Sequence, residues 1–252
     1  MRVVTWNIRH ALGNDGYVDL ERIVAVISEC EPDIVGLQEV DRLWSRSAWA
    51  DQTAWLANSL GMSGVFGANL FPSEGGEYGT AILSRWPFTE SANHPLPSRS
   101  GLESRGRLVA QIHGPDGQRV QVECTHLHWG GHQRPVLGVI ERHDQATALV
   151  GAERPAELPI VLLGDFNAQP EDRELEPLRE AFTDAWAAIH PSEPGFTIPS
   201  HPTEPPDRRI DYLWLSAGIR CLGIEVVDTA VSRMASDHYP VIADLELPTT
   251  PG

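Results

Sequence analysis

The stretch LPIVLLGDFNAQP, residues 158 to 170, runs four aliphatics, Ile160 to Leu163, toward a carboxylate and an amide, Asp165 and Asn167. The arrangement recurs. In IVGLQEV (34–40), Val35 and Leu37 are expected to share a face with Glu39, and in RVQVECTHL (119–127), Val120, Val122 and Cys124 share theirs with His126, because side chains alternate along a strand. Asn7 ends a first strand, Asp211 lies inside RRIDYLWLS, and Asp237 and His238 lead into a last strand, YPVIADLEL. Taken singly, each residue reads equally well as a turn cap, a loop acid or a satisfied histidine. As a set they imply more. Glu39, Asp165, Asp211 and Asp237, if they meet, repel one another and lose hydration, which demands a cation or an imidazole among them. Carboxylate and amide oxygens without clustered cysteine or repeated histidine suit a hard ion, Mg2+ or Mn2+, better than zinc. Such an ion keeps waters and binds phosphate, so the chemistry implied is metal-assisted attack at phosphorus.

The elements that must position these groups are legible from periodicity. RVVTW (2–6) reads as a strand, and VDLERIVAVISEC (18–30) as a helix with Leu20, Ile23, Val24, Ile27 and Cys30 on one stripe and Asp19 as N-cap. A second buried strand follows at 34–40, then a Trp- and Leu-rich helix over 48–61 ending at Gly61. Strands are expected at 64–68, 79–84 and 107–113, and Pro115-Asp116-Gly117 turns the last into 119–127 as a hairpin. Residues 133–152 read as a helix, 158–165 as a central strand, 171–182 as a short helix, and 209–216, 219–227 and 239–247 as closing strands. The pattern predicts two sheets face to face with helices outside. No repeat or linker divides the chain, and a Pro-rich stretch at 198–209 reads as a surface loop, so 1–252 is expected to be one domain.

Composition narrows the partners. A net charge of -16 and a pI near 4.9 oppose non-specific binding to polyphosphate or anionic membrane, which needs Lys and Arg to neutralise phosphates. Cys30, Cys124 and Cys221 are odd in number, far apart and in apolar settings, and are read as reduced core residues. The N-terminus lacks an apolar signal-like segment and no run reaches transmembrane length, so a soluble, cytoplasmic monomer is expected.

The ordered series TWNIRH, LQEVD, YGTAILS, THLH, GDFNAQP, RRIDYLWLS and SDHYPV, from Thr5 to Val241, closely resembles the endonuclease/exonuclease/phosphatase superfamily of DNase I-like phosphoesterases. The resemblance implies a four-layer α/β/β/α sandwich of two mixed sheets. It implies Asn7 and Glu39 at the metal, with Glu39 the principal ligand, and Asp237 completing the metal's surroundings. Asp165 would orient or deprotonate the attacking water, Asn167 would donate to the phosphoryl oxygens, and His126 would contact the scissile phosphate. Asp211 would hold His238, which would act as base or as electrostatic stabiliser. Tyr78 matches a position near the phosphate, or is a packed aromatic opening its strand; Arg105, in ESRG, resembles a phosphate contact of bacterial members, or forms a surface salt bridge. Where apurinic endonucleases carry an Asp two residues after the first-strand Asn, this chain has Arg9, so one carboxylate of that branch is missing.

The leading expectation is a Mg2+- or Mn2+-dependent phosphodiesterase or phosphatase on a small or lipid-derived ester; Arg42, Arg46, Trp44 and Trp49 read as a half-buried lead-in to the helix or as the floor of a substrate pocket, and Trp129, His132 and Arg134 as an ordinary loop or as further pocket residues. Duplex nucleic acid is disfavoured, since no basic stripe is present. The alternatives are a single-strand nuclease, stacking bases on Trp44, Trp49 and Trp129, and a catalytically dead phosphate-binding module, against which the full set of polar residues argues.

Overall fold

The computed structural model describes residues 1–114, 117–130, 135–201 and 204–248, the side chain of Pro135 excepted. His132, Arg134 and the turn at Pro115-Asp116 lie outside the described residues. One six-stranded sheet has the order β11 (Arg220–Val226), β12 (Val241–Glu246), β1 (Arg2–Asn7), β2 (Ile34–Arg42), β4 (Glu77–Ser84), β3 (Ser63–Leu70). The second runs β5 (Phe88–Pro95), β6 (Gly106–His113), β7 (Arg119–His126), β8 (Ile160–Asp165), β10 (Asp211–Leu215), β9 (Thr183–Asp184). Each is mixed: β1 and β2 pair in parallel in the first, β7 and β8 in the second, and the remaining pairs are antiparallel.

Three apolar layers hold the sheets in place. Val3, Ile34, Ile82, Val122, Cys124, Val161, Leu163, Leu213 and Ala243 fill the space between the sheets. On the outer face of the first sheet, Val4, Trp6, Val35 and Leu37 pack beneath α1 (Leu20–Cys30) and α2 (Gln52–Leu60). On the outer face of the second, Leu162, Phe166, Tyr212 and Trp214 pack beneath α3 (Pro135–Val150) and α4 (Glu176–Ala181). The architecture is therefore α/β/β/α. Alternation explains it: Val161, Leu163 and Asp165 face inward while Leu162 faces out.

The helix caps match the sequence. Asp19 accepts from Arg22 N at the start of α1, and Gly61 closes α2 in the left-handed region. The second helix begins only at Gln52, because Ser45–Ser47 form a 3-10 turn and Asp51 supplies the N-cap. The helix expected over 171–182 is split into a 3-10 turn at Arg173–Leu175 and α4. Three elements carry no periodic signal: edge strand β5, whose residues 89–95 are all exposed, and the short helices α5 (Ala185–Ile189) and α6 (Ala230–Ala235). Of the cysteines, Cys30 and Cys124 are buried, whereas Cys221 is half-buried beside a register shift in β11, because that edge strand is only partly covered.

Candidate active site

The register of the second sheet brings three polar groups into one row. His126 at the end of β7 is paired with Asp165 at the end of β8, and Asp165 in turn with Asp211 at the start of β10. All three continue inward-facing apolar rows. Opposite them, Asn7 continues the row of Val3 and Thr5, and its Nδ2 lies 3.0 Å from Asp165 Oδ2 and 3.1 Å from Glu39 Oε1.

Glu39 reaches this point by a route the alternation does not predict. Val35 and Leu37 face the outer helices, so an unbroken strand would send Glu39 outward with them. The pairing of β2 with β4 shifts between Leu37 and Val40, and Glu39 adopts φ 59°. This bulge turns its carboxylate inward beside Gln38, whose amide bonds Thr5 Oγ1 within the sandwich. Asn167 is also left-handed, at φ 51°. Non-glycine residues in this region are uncommon and cluster where function demands them.

Asp165 and His238 form the charged centre. His238 Nδ1 lies 2.9 Å from Asp211 Oδ2 and its Nε2 3.7 Å from Asp165 Oδ2. Burial opposes a charged imidazole here, but the carboxylates of Asp211 and Asp165 outweigh it and lift His238 to about 10. Burial also lifts Asp165 to about 7, with the His238 cation pulling the other way. Thr197 Oγ1 donates to Asp211 Oδ2 at 2.6 Å and Trp6 Nε1 donates to the His238 carbonyl at 2.9 Å, so the imidazole is fixed from both sides.

His126 is different. Burial, reinforced by Arg105 and His238, holds it well below its ordinary value and therefore neutral. Arg105 Nη1 stands 3.3 Å from His126 Nδ1, and a guanidinium has only protons to offer. With Nδ1 accepting from Arg105, the ring proton would sit on Nε2, 3.4 Å from Asp165 Oδ2. Asn167 Nδ2 lies 3.0 Å from that same Nε2, and it donates to Leu127 O at 3.0 Å. Arg105 and the Asn167 amide nitrogen both offer protons to the ring, and a neutral imidazole can accept from one of them and not from both.

The carboxylates differ in what remains open to them. Asp165, Asp211 and His238 bring three ligand-type atoms within 4.8 Å of one another, yet an imidazole held protonated by its two carboxylate neighbours is no ligand. Glu39 and Asp237 are half-buried at the mouth. Burial raises Glu39 and the Asn7 amide pulls it down; of the neighbouring charges, Asp237 raises it while His238 and Arg105 lower it. Hard oxygen donors such as the carboxylates of Glu39 and Asp237 suit a hard divalent cation, Mg2+ or Mn2+. Asn7 turns its nitrogen, not its oxygen, toward the carboxylates, since Oδ1 accepts from Arg9 N at 3.0 Å; Arg9 Nε is 3.6 Å from Asp237 Oδ2.

Tyr78 and Arg105 close one wall. Tyr78 is 6% exposed, and burial pushes its hydroxyl well above its ordinary value, with Glu39 adding to the shift. Arg105 is 3% exposed and pairs with Glu103, so it is a site-facing cation and not a surface bridge. Arg42 lies elsewhere: it pairs with Glu77 and stacks over Phe66, because the bulge in β2 shifts which face the following residues present. Arg46 pairs with the buried Asp41 and covers Trp44 at 3.6 Å. Trp129 is 53% exposed just beyond Leu127. Glu103 and Trp6 join the site from within ESRG and TWNIRH, though neither is the residue those motifs point to, and Thr197 joins it with no motif, its only signal being its place in FTIPS at the head of the Pro-rich loop.

A fold and site of this kind define a class, and comparison with known proteins agrees. Residues 4–238 match the Endonuclease/Exonuclease/phosphatase family, and the chain belongs to it. A solved endonuclease/exonuclease/phosphatase from Beutenbergia cavernae is similar over 100% of this chain and 72% of its own, with 31% identity and a TM-score of 0.84. Nocturnin from Rattus norvegicus is 26% identical over 95% of this chain, and Protein cwh43 from Schizosaccharomyces pombe 30% identical over 63% of it. The chain spans 63% and 15% of the lengths of those two proteins. A mannosyl-6-phosphatase from Bacteroides thetaiotaomicron shares the fold at 18% identity and a TM-score of 0.74.

Proposed function

We propose that this chain is a single catalytic domain, 1–252, that hydrolyses a phosphodiester or phosphomonoester of a small or lipid-derived molecule by attack of water at phosphorus. The observation that carries this reading is the position of Asp165 Oδ2, which is within 3.0 to 3.7 Å of Asn7, His126 and His238 at once. Asp165 orients the attacking water and takes its proton, which its raised pKa favours. His126 Nε2 and Asn167 Nδ2 donate to the phosphoryl oxygens, and Arg105 and Tyr78 line the same wall. His238, held cationic by Asp211, stabilises the charge that builds up as the leaving group departs. Glu39 and Asp237, with Asn7 beside them, would hold Mg2+ or Mn2+, which when bound supplies Lewis-acid polarisation of the phosphate.

The working unit of this proposal is a monomer. Scattered unpaired cysteines and the acidic balance support action in the cytoplasm. Among the described residues no helix is long and apolar enough to cross a membrane.

The test is a panel of bis-p-nitrophenyl phosphate, phosphomonoesters, phospholipids, and single-stranded and duplex DNA, each with Mg2+, with Mn2+ and with EDTA. Turnover of a small or lipid ester that EDTA abolishes is expected. DNA cleavage far faster than any small ester would overturn the substrate class, and undiminished turnover in EDTA would overturn the metal.

A further inference from the structure

Two loops at the site end of the first sheet expose large apolar side chains that the chemistry above leaves unused. Leu43 and Trp49, in the loop after β2, are 54% and 56% exposed, and Phe71, in the loop after β3, is 70% exposed. The two loops form one lobe: Trp44 Nε1 donates to Glu74 Oε1 at 3.1 Å, and Gly76 lies against the backbone of Leu43 and Trp44. Leu43 and Trp49 sit at φ 53° and 60°, so the backbone holds these side chains in a conformation that such residues rarely adopt. The lobe joins the site directly, since Trp44 meets Tyr78 edge-on at 6.4 Å and Tyr78 forms the site wall.

A second exposed group stands at the same end. Strand β12 runs against β1, so its start lies beside the end of β1. There the loop carrying Tyr17 (72% exposed) bonds through Asn14 N to the carbonyl of Met234 (43% exposed). The mouth of the site therefore opens on the end of the molecule that carries both apolar groups, and a body covering that end also covers the mouth.

Charge chooses between possible occupants. Within the first lobe, Arg42 pairs with Glu77 and Arg46 with Asp41, while Asp51 and Glu74 add further negative charge. Four carboxylates against two neutralised guanidinium groups give a nucleic acid backbone or an anionic bilayer nothing to bind. Aromatic side chains whose neighbouring cations are already paired with carboxylates suit the interface of an uncharged or zwitterionic lipid layer.

We propose that Leu43, Trp49 and Phe71 seat the protein on a zwitterionic phospholipid surface, so that the site meets phosphate esters presented at that surface. This deepens the phosphoesterase reading and rests on it for the identity of the substrate. The full chain is sedimented with phosphatidylcholine vesicles, and with vesicles in which phosphatidylserine replaces part of the lipid, alongside the double variant Leu43→Asn, Phe71→Ser. Soluble bis-p-nitrophenyl phosphate is assayed in parallel with Mn2+ and without vesicles. Wild type is expected to sediment with phosphatidylcholine and less with phosphatidylserine present. The variant is expected to partition at least about tenfold less, with soluble turnover within about twofold of wild type. Failure to bind phosphatidylcholine, equal binding by the variant, or stronger binding to phosphatidylserine each overturns the proposal. So does binding of single-stranded DNA or of a protein that the same variant abolishes. Sedimentation as expected with every ester left intact upholds the docking surface and overturns the phosphoesterase reading alone.

Discussion

A histidine packed between two buried carboxylates is a cation whose orientation is fixed by its partners. Asp211 accepts the Nδ1 hydrogen bond of His238 and so fixes the ring's orientation, and Thr197 locks Asp211 in turn. Replacing Asp211 by Asn keeps the shape but removes the charge that sustains the imidazolium. Asp211→Asn is expected to lower kcat at least about a hundredfold with KM little changed, measured on whichever ester of the panel turns over. Asp165→Ala or His238→Ala is expected to lower kcat at least about a thousandfold; activity within tenfold of wild type would remove that residue from the mechanism. At this scale the sequence was informative where a polar residue extended a buried row, as for Asp165, His126 and Asn7. It was silent where a contact depends on a loop meeting a strand, as for Thr197 on Asp211 and Trp6 on the His238 carbonyl. Glu39 was found by its type and motif, while the alternation offered for it would have pointed it away from the site.

Elements do the aiming. The bulge at Gln38–Glu39 is invisible to a period-two pattern, because the pattern assumes one residue per partner residue. Edge strand β5 carries no alternation because solvent covers nearly all of its residues, and α5 and α6 are too short for a helical stripe to register. Glycine at 164 shows how tightly the site strands are joined. A Cβ there would stand 2.0 Å from Thr125 O, and the residue has φ 147°. β7 would have to move away from β8, taking His126 from Asp165. Gly164→Ala is expected to destabilise the fold by about 1–3 kcal/mol, lowering Tm by several degrees in a melting experiment, and to reduce turnover in the surviving folded protein. An unchanged Tm would mean that the two strands can separate freely.

On the scale of the molecule, the site sits where two parallel strand pairs end together. β1 and β2 enclose α1, β7 and β8 enclose α3, and the four carboxyl ends deliver Asn7, Glu39, His126 and Asp165 to one point. Buried strands followed by amphipathic helices made the layers legible from sequence; strand order was not, since it rests on pairing between distant segments. Above this end lies His10, whose carbonyl accepts from Gln52 at 2.8 Å and whose Nδ1 has no partner among the described residues. Burial, aided by Arg46 and Arg9 against the pull of Asp41 and Asp237, lowers His10 to about 4. An unfolded histidine takes up its proton near 6.5. Between these values the unfolded chain binds a proton that the folded chain refuses, so stability contributed by a neutral His10 is complete above about 6.5 and is lost as pH falls toward 4. His238, raised to about 10, has the opposite sign: its contribution is full below about 6.5 and is lost as pH climbs toward 10. Comparing the change in Tm between pH 7.5 and 4.5 in wild type and in His10→Asn separates the first effect from the titration of Asp165 near 7, which both proteins share. Wild type is expected to lose more Tm on acidification than His10→Asn, which has no proton to take up; equal losses would mean that His10 titrates in the fold as it does in the open chain.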